Sequence, residues 1–559
     1  ARRFSPYHKG MTPAIDVPAP RLPCAALLLV AAVFALAHTQ APLYYSNQNQ
    51  YFLHGLAQGG RGDLDRDWLA NTADPTPVFS AAVAWTYRHV GEWPFQAVYF
   101  VMLMGYFVSL AAVLTALPSL RSGRGGTGLI VILTLLIVLH AAVVRKASVG
   151  LAGTDYPWYL QSGVAGQYVL GPGLQPSAFG VFLIASLAAF LHDRPILAAA
   201  FAVAACIFHA TYLLPAAWLT LGYMHVLWHG GRRRASFALG AGILVAVLPI
   251  AWYSVRTFAP TTPEQFAEAQ HILADIRIPH HAQVSRWLDN VALAQIAWIA
   301  VAVALVRGTP LFPVMAISAA AGVVLTVVQA VTEYPTLALL FPWRVSAVLM
   351  PVATTVILAR MVTVAASVMP RRNGLKSAET ITIVGSAIVR CGCAIGGVAM
   401  MAFGVGYATN AAELPTLEYV RDHKKPGDVY LIPVDIPAPQ TGRRGPPSTS
   451  FTPPPRPAPG ATLIAVDLQQ FRLFTGAPLY VDFKSIPYKD VEVLEWYRRI
   501  RQVEDWYKQP TWGPQTRDEL ARAGITHVLV TADRDLAGPA LEQVYADETY
   551  RVYRVRPGA

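Results

Sequence analysis

Charge is scarce in this chain. Only 14% of its 559 residues are Asp, Glu, Lys or Arg, against 54% hydrophobic, where soluble domains carry about 25% charged residues. That shortfall excludes an ordinary soluble globule and points to a bilayer as solvent. Cysteine is scarcer: Cys24, Cys206, Cys391 and Cys393, each in or beside an apolar run. No disulfide framework follows. Cys391-Gly392-Cys393 is too close and too isolated for a zinc site, so it reads as membrane packing. There is no P-loop and no glycine-rich dinucleotide fingerprint. No basic stripe suggests nucleic acid. The net charge is +11, yet residues 409–559 carry 19 basic and 19 acidic side chains. The excess therefore belongs to residues 1–408, as the positive-inside bias of short cytoplasmic loops requires.

What is abundant is apolar length. Windows of about 20 apolar residues, enough to cross a bilayer, fall near 22–40, 93–117, 127–145, 176–192, 195–211, 212–229, 235–255, 290–306, 311–331, 343–366 and 384–406. The fifth and sixth share one run, where His209 and Pro215 suggest a break. The chain starts without Met, as a fragment or a processed end would. Leu22–Leu36 lacks a following small-residue cleavage site, so it reads as a first transmembrane helix rather than a signal peptide. With the N-terminus inside, Arg2, Arg3, Lys9, Arg21, Arg121, Arg124, Arg194, Arg232-Arg233-Arg234, Arg307, Arg371, Arg372 and Lys376 all fall on one side. The expected architecture is a polytopic α-helical membrane protein of about 11 transmembrane helices over residues 1–408. Outer loops are expected at 41–92, 145–175 and 256–289, with the amphipathic stretch Pro263–Ile276 lying on the membrane surface. Residues 409–559 alternate helix and strand, as a small α/β domain does, around a Pro-rich insertion at 437–460. Strands are expected at Asp428–Val434, Thr462–Val466, Pro478–Phe483, Thr526–Thr531 and near Tyr550–Val555. Helices are expected at Glu413–His423, Asp490–Trp506 and Gln515–Ala523.

Candidate chemistry concentrates in the first outer loop. Asp63, Asp65, Asp67 and Asp74 put four carboxylates in twelve residues. Such a loop could supply a base for an acceptor hydroxyl, or hold a divalent cation such as Mg or Mn. It could also be a solvated turn that caps a helix. Arg344 opens an apolar span in Phe341-Pro342-Trp343-Arg344-Val345-Ser346. A guanidinium there can grip a phosphate bidentately, or snorkel beside an aromatic belt. His209 sits at the suspected break, and Asp155-Tyr156-Pro157-Trp158-Tyr159 could stack on a sugar or sit at the interface. His271, Asp275, His280 and His281 match no metal spacing. Arg472, Asp482 and Lys484 read either as facing the membrane and the substrate or as part of an ordinary strand-turn-strand of the α/β domain.

On these residues the chain resembles the GT-C superfamily of integral-membrane glycosyltransferases. The likeness is carried by Asp65-Arg66-Asp67-Trp68 in the first outer loop, by Arg344 at an outer span start, and by an outer α/β domain after the last span. Asp67-Trp68 followed by Asp74-Pro75-Thr76-Pro77-Val78-Phe79 is similar to uncharacterised bacterial members. The resemblance implies a polyprenyl-phosphate or polyprenyl-diphosphate sugar donor and a periplasmic glycan, lipid or protein acceptor. It makes Asp67, then Asp65, the base and puts Arg344 with His209 at the donor phosphate. Asp63, Asp74, Trp68, Asp155, Tyr156 and Arg472 become substrate contacts. It places the chain in a bacterial inner membrane with the C-terminal domain periplasmic, among membrane lipids and envelope-assembly partners. The C-terminal domain has no Trp-Trp-Asp motif, a departure that speaks against protein N-glycosylation. A transporter or flippase is the alternative, but it would show repeats and midplane charges, which are absent here. A non-catalytic accessory of polysaccharide assembly is the third reading.

A periplasm-active reporter fused after residue 409 is expected to be active and one fused near Arg233 silent; the reverse pattern would invert the topology. Deleting Gln440 to Pro457 is expected to leave folded yield unchanged, because a segment with so little apolar periodicity has little burial to offset its ordering entropy.

Overall fold

The structure is a computed structural model. It describes residues 23–117, 126–368, 375–405, 407, 411–434, 468–536 and 538–557. The insertion at 437–460, the strand expected at 462–466 and the inner-loop Arg2, Arg3, Lys9, Arg21, Arg121, Arg124, Arg371 and Arg372 lie outside the described residues.

Each apolar window is helical. Trp93–Ala116, Arg233–Thr257, Leu311–Thr332, Pro335–Val368 and Ala378–Ala402 are five stretches long and apolar enough to cross a membrane. Gly126–His140 and Ala142–Ala152 make a sixth if taken together across their 57° bend. Cys24–His38, Pro195–Phe208 and Asn290–Leu305 have 15, 14 and 16 residues. At about 1.5 Å rise per residue these are shorter than a hydrocarbon core of about 30 Å, so length alone does not carry the count of eleven. The chain breaks at His209, which is extended between Pro195–Phe208 and a short 3₁₀ turn, Ala210–Tyr212. Leu244, Leu248, Trp252 and Val255 on one helix, and Val324, Val327 and Val331 on another, are exposed. Rows of this kind are stable only against lipid or a partner, and the backbone polar groups beneath them are satisfied within the helices. The protein is a polytopic helical membrane protein with a small C-terminal α/β part.

The first and last apolar helices meet at a glycine. A Cβ on Gly397 would fall 2.1 Å from the Leu36 carbonyl oxygen, and Thr39 Oγ1 donates to the Gly397 carbonyl at 3.0 Å. Small residues allow such approach, which is how helices pack without a hydrophobic drive.

The C-terminal sheet has four strands: β1 Tyr430–Leu431, β2 His527–Thr531, β3 Leu541–Ala546 and β4 Tyr550–Val555, in the order β1-β2-β4-β3. β1 runs parallel to β2, and the other pairs are antiparallel. Val493, Trp496, Ile500 and Val503 form one buried face of the helix Asp490–Lys508. The strand expected at Pro478–Phe483 does not form; one bridge between Tyr430 and Leu479 stands in its place. Pro263–His271 does not lie on a membrane surface: Ala269, Ile272 and Leu273 are buried in one core with Val493, Trp496 and Ile500. Its apolar stripe is spent on the C-terminal part.

Gly397→Leu is expected to force these two helices apart and to lower folded yield and thermal stability, read by fluorescence-detected gel filtration. A variant as stable as the parent would show that the helices can separate freely.

Candidate functional site

The acidic turn is built from short 3₁₀ turns, Leu64–Arg66 and Leu69–Asn71, and its four carboxylates go different ways. Asp63 pairs with Lys424 at 2.5 Å. Asp74 accepts the Thr76 N–H at 2.8 Å. Asp65 is exposed, and its carboxylate has no hydrogen bond or ion pair among the described residues. Asp67 is fully buried. Its Oδ1 accepts the Leu69 N–H at 2.9 Å, and its Oδ2 accepts Arg472 Nε at 2.6 Å and the Leu479 N–H at 2.8 Å. With the Ala70 N–H also on Oδ1 at 3.4 Å, about four lone-pair sites are engaged, and Asp67 serves as a joint between the first loop and the C-terminal part. Among the described residues no three His, Cys, Asp or Glu side chains gather to hold a metal, which leaves the divalent-cation expectation without a ligand set.

Arg472 also pairs with Asp482. The strut Asp67–Arg472–Asp482 thus fixes the first loop against the C-terminal part. Arg472 is therefore the centre of the joint. Beside it, a Cβ on Gly62 would fall 2.3 Å from the Gly476 carbonyl oxygen; both glycines have positive φ, 55° and 66°, and the Asp63 N–H donates to Gly476 O at 2.8 Å. The joint continues along the chain. Gln50 and Ile486 exchange two hydrogen bonds, at 2.8 and 2.6 Å. Glu492 accepts the Ala73 N–H at 3.0 and 3.1 Å, and Asp490 accepts the Thr261 N–H and Oγ1 at 2.5 and 2.8 Å.

This docking brings cations together. Arg344 is 8% exposed; its Nη1 donates to Gln167 Oε1 at 2.6 Å and its guanidinium lies 4.9 Å from the Tyr212 ring. Arg277 donates to the Lys484 carbonyl and stacks 5.3 Å from Phe483. Lys484 donates to Asn47 Oδ1 at 2.8 Å, and Asn47 donates to the Tyr168 hydroxyl at 3.0 Å. Tyr51 and Tyr488 interact through their hydroxyls within the influence of both arginines, and burial raises both phenols above their ordinary range. His209 is buried, 5.8 Å from Tyr51 and 5.6 Å from Tyr212, ring to ring. No carboxylate pairs with Arg277, Arg344 or Lys484 among the described residues. The Nε of Arg277 and of Arg344 are buried without a partner. Burial, with Arg277 beside it, pushes the Lys484 ammonium down to about 7. A buried charge without a counter-ion costs several kcal/mol, a cost that an anion among these groups would offset.

Other expected residues lie elsewhere. Asp155 is fully buried and accepts Arg145 Nε and Nη2 at 2.9 and 2.8 Å. Tyr156 is 58% exposed. Trp68 lies under the Arg499 guanidinium at 4.3 Å, so one ring face is already taken. His271 and Asp275 form an exposed pair at 3.1 Å. Sequence reasoning passed over Arg277, Tyr51, Tyr488, Asn47 and Gln167. The one signal available was the lone Arg277 in an apolar stretch, Ile272–Ile278.

Comparison with known proteins gives three findings. A family model described as a domain of unknown function, DUF6798, matches residues 457–503, a stretch that contains Arg472, Asp482, Lys484 and Tyr488. No curated protein matches. Among solved structures, the chain is similar to the crystal structure of ArnT from Cupriavidus metallidurans bound to undecaprenyl phosphate, at 13% identity and a TM-score of 0.46, over 95% of this chain and 97% of that one.

Proposed function

We propose that the protein is a membrane glycosyltransferase that draws a sugar from a polyprenyl-phosphate or polyprenyl-diphosphate donor, with Arg344 gripping the donor phosphate. The observation that carries this reading is the buried Arg344 guanidinium, its Nε unpartnered and no carboxylate bonded to it. A lipid phosphate sits where apolar helices give way to a polar domain, and Arg344 lies at that transition, in the turn Pro342–Val345 before the helix Ser346–Val368. His209 and Tyr212 wall that guanidinium. In the reaction the acceptor hydroxyl attacks the anomeric carbon and its proton passes to a base. The bond from that carbon to the phosphate oxygen breaks, and the phosphate leaves with the electron pair. Asp65 is the first-loop carboxylate free to take the proton. The acceptor is a glycan, lipid or protein on the side of the C-terminal domain, which the charge pattern puts in the periplasm.

One observation favours a second reading. The residues bonded to the three cations include no carboxylate, so the cluster itself binds anions without offering a base. A non-catalytic lipid-phosphate binder of envelope assembly would need no more than this.

Three variants separate the readings, with transfer of a labelled sugar and donor binding measured in vesicles. Arg344→Gln is expected to weaken donor binding roughly tenfold to hundredfold, the worth of a charge-assisted hydrogen bond. Asp65→Asn is expected to cut transfer about a hundredfold and leave donor binding intact; full activity would favour the non-catalytic binder. Asp67→Asn is expected to lower stability by about 3–5 kcal/mol, because it leaves Arg472 buried and underpaired.

A further inference from the structure

The cation cluster has two poles. Arg344 acts on Tyr168, His209 and Tyr212, and Arg277 acts on Lys484. Tyr51 and Tyr488 feel both guanidiniums. The poles are also held by different parts of the chain. Arg344 and Gln167 belong to the helical part. Arg277 and Lys484 are joined through the Lys484 carbonyl, and Lys484 reaches Asn47 from the C-terminal part. Each arginine keeps a buried Nε without a partner. One monophosphate at Arg344 would satisfy one pole and leave Arg277 and Lys484 side by side, two cations repelling in a poorly solvated place.

We infer that the cluster binds two anionic groups at once: one at Arg344, and a second, phosphoryl or carboxylate, between Arg277 and Lys484. This rests on the glycosyltransferase reading only in taking the first group to be the donor's lipid phosphate. The second group belongs to the far side of the same ligand assembly. It is either a second phosphoryl of a diphosphate donor or an acidic group on the sugar or acceptor. The chemistry is the same in each case: a guanidinium fork and an ammonium on a compact anion. An anion there returns the proton that burial drives from Lys484. Its binding is therefore strongest below pH 7 and weakens as pH rises above 7. The groups facing Lys484 are Arg277, which stays charged throughout, Asn47, which does not titrate, and Tyr51 and Tyr488, whose phenols stay protonated over that range.

The test uses the full chain in detergent, saturated with polyprenyl monophosphate and then titrated calorimetrically with inorganic phosphate. The loaded protein is expected to take up one further phosphate, and inorganic sulfate, whose charge is constant over the interval, is expected to bind there more weakly at pH 8.5 than at pH 6.5 by roughly tenfold or more, within the roughly hundredfold that one proton allows over two pH units. Arg277→Gln and Lys484→Gln are each expected to weaken this second event roughly tenfold or more, while Arg344→Gln weakens the first. Repeating the titration on protein loaded with polyprenyl diphosphate distinguishes the sources. Loss of the second event assigns it to the donor's own second phosphoryl group; its persistence assigns it to a separate acidic molecule, for which glucuronate is the competing probe. Absence of any second event on the monophosphate-loaded protein overturns the proposal. So does a second event that survives both Arg277→Gln and Lys484→Gln. Failure of the lipid to bind, with two equivalents of inorganic phosphate still bound and each lost with its own arginine, would sink the lipid-donor reading and keep the two-anion site.

Discussion

The fully buried Asp67 carboxylate holding Arg472 is the interaction on which the rest of the architecture depends. Arg472 also pairs with Asp482, so one guanidinium is shared by two carboxylates in a dry seam, one of them 405 residues away along the chain. Such a triad gains little over an apolar contact of the same shape, but it is costly to break singly. It therefore selects one docked arrangement more than it deepens stability. The tight touch of Gly62 on Gly476 belongs to the same seam: no side chain lies between the two backbones, so the joint has no room to slide. Gln50, Ala73 and Thr261 then meet Ile486, Glu492 and Asp490 in fixed register.

The cation cluster stands next to this seam and inverts its logic. In the seam every charge is answered; two residues on, Lys484 and its neighbours are not. The same low dielectric makes both states possible. It strengthens the Asp67–Arg472 contact and raises the cost of leaving Arg344, Arg277 and Lys484 together. The folded chain tolerates the second because the first is rigid enough to impose it.

Much of the helical architecture was legible because apolar length needs no partner to be recognised: each window from Leu22 to Gly406 coincided with a helix, and His209 was seen as a break. The C-terminal helices were legible for the same reason, since Val493, Trp496, Ile500 and Val503 recur at helical spacing. The acidic turn misled. A row of aspartates reveals charge but not its answer, and Arg472 lies 405 residues from Asp67. Pro478–Phe483 looked like a strand because Leu479, Val481 and Phe483 alternate with polar and aromatic residues, yet Leu479 N–H is taken by Asp67 and little ladder remains. The strand Leu541–Ala546 was missed, its Glu and Gln obscuring the alternation. Arg277 was overlooked because a single cation in the helical turn Ile272–Arg277 is a weak signal; only the fold sets it beside Lys484.

The contributors to the cluster are scattered along the chain: Asn47, Tyr51, Gln167, Arg277, Arg344, Lys484 and Tyr488. A ribosome reaches them in that order. When Arg344 has been made, the helical part already holds two of the three cations, but Lys484 and Tyr488 do not yet exist. The three-cation cluster is therefore absent from a growing chain until the seam has closed over it. It is completed late in biosynthesis, and a chain halted before residue 484 would hold Arg277 and Arg344 without Lys484.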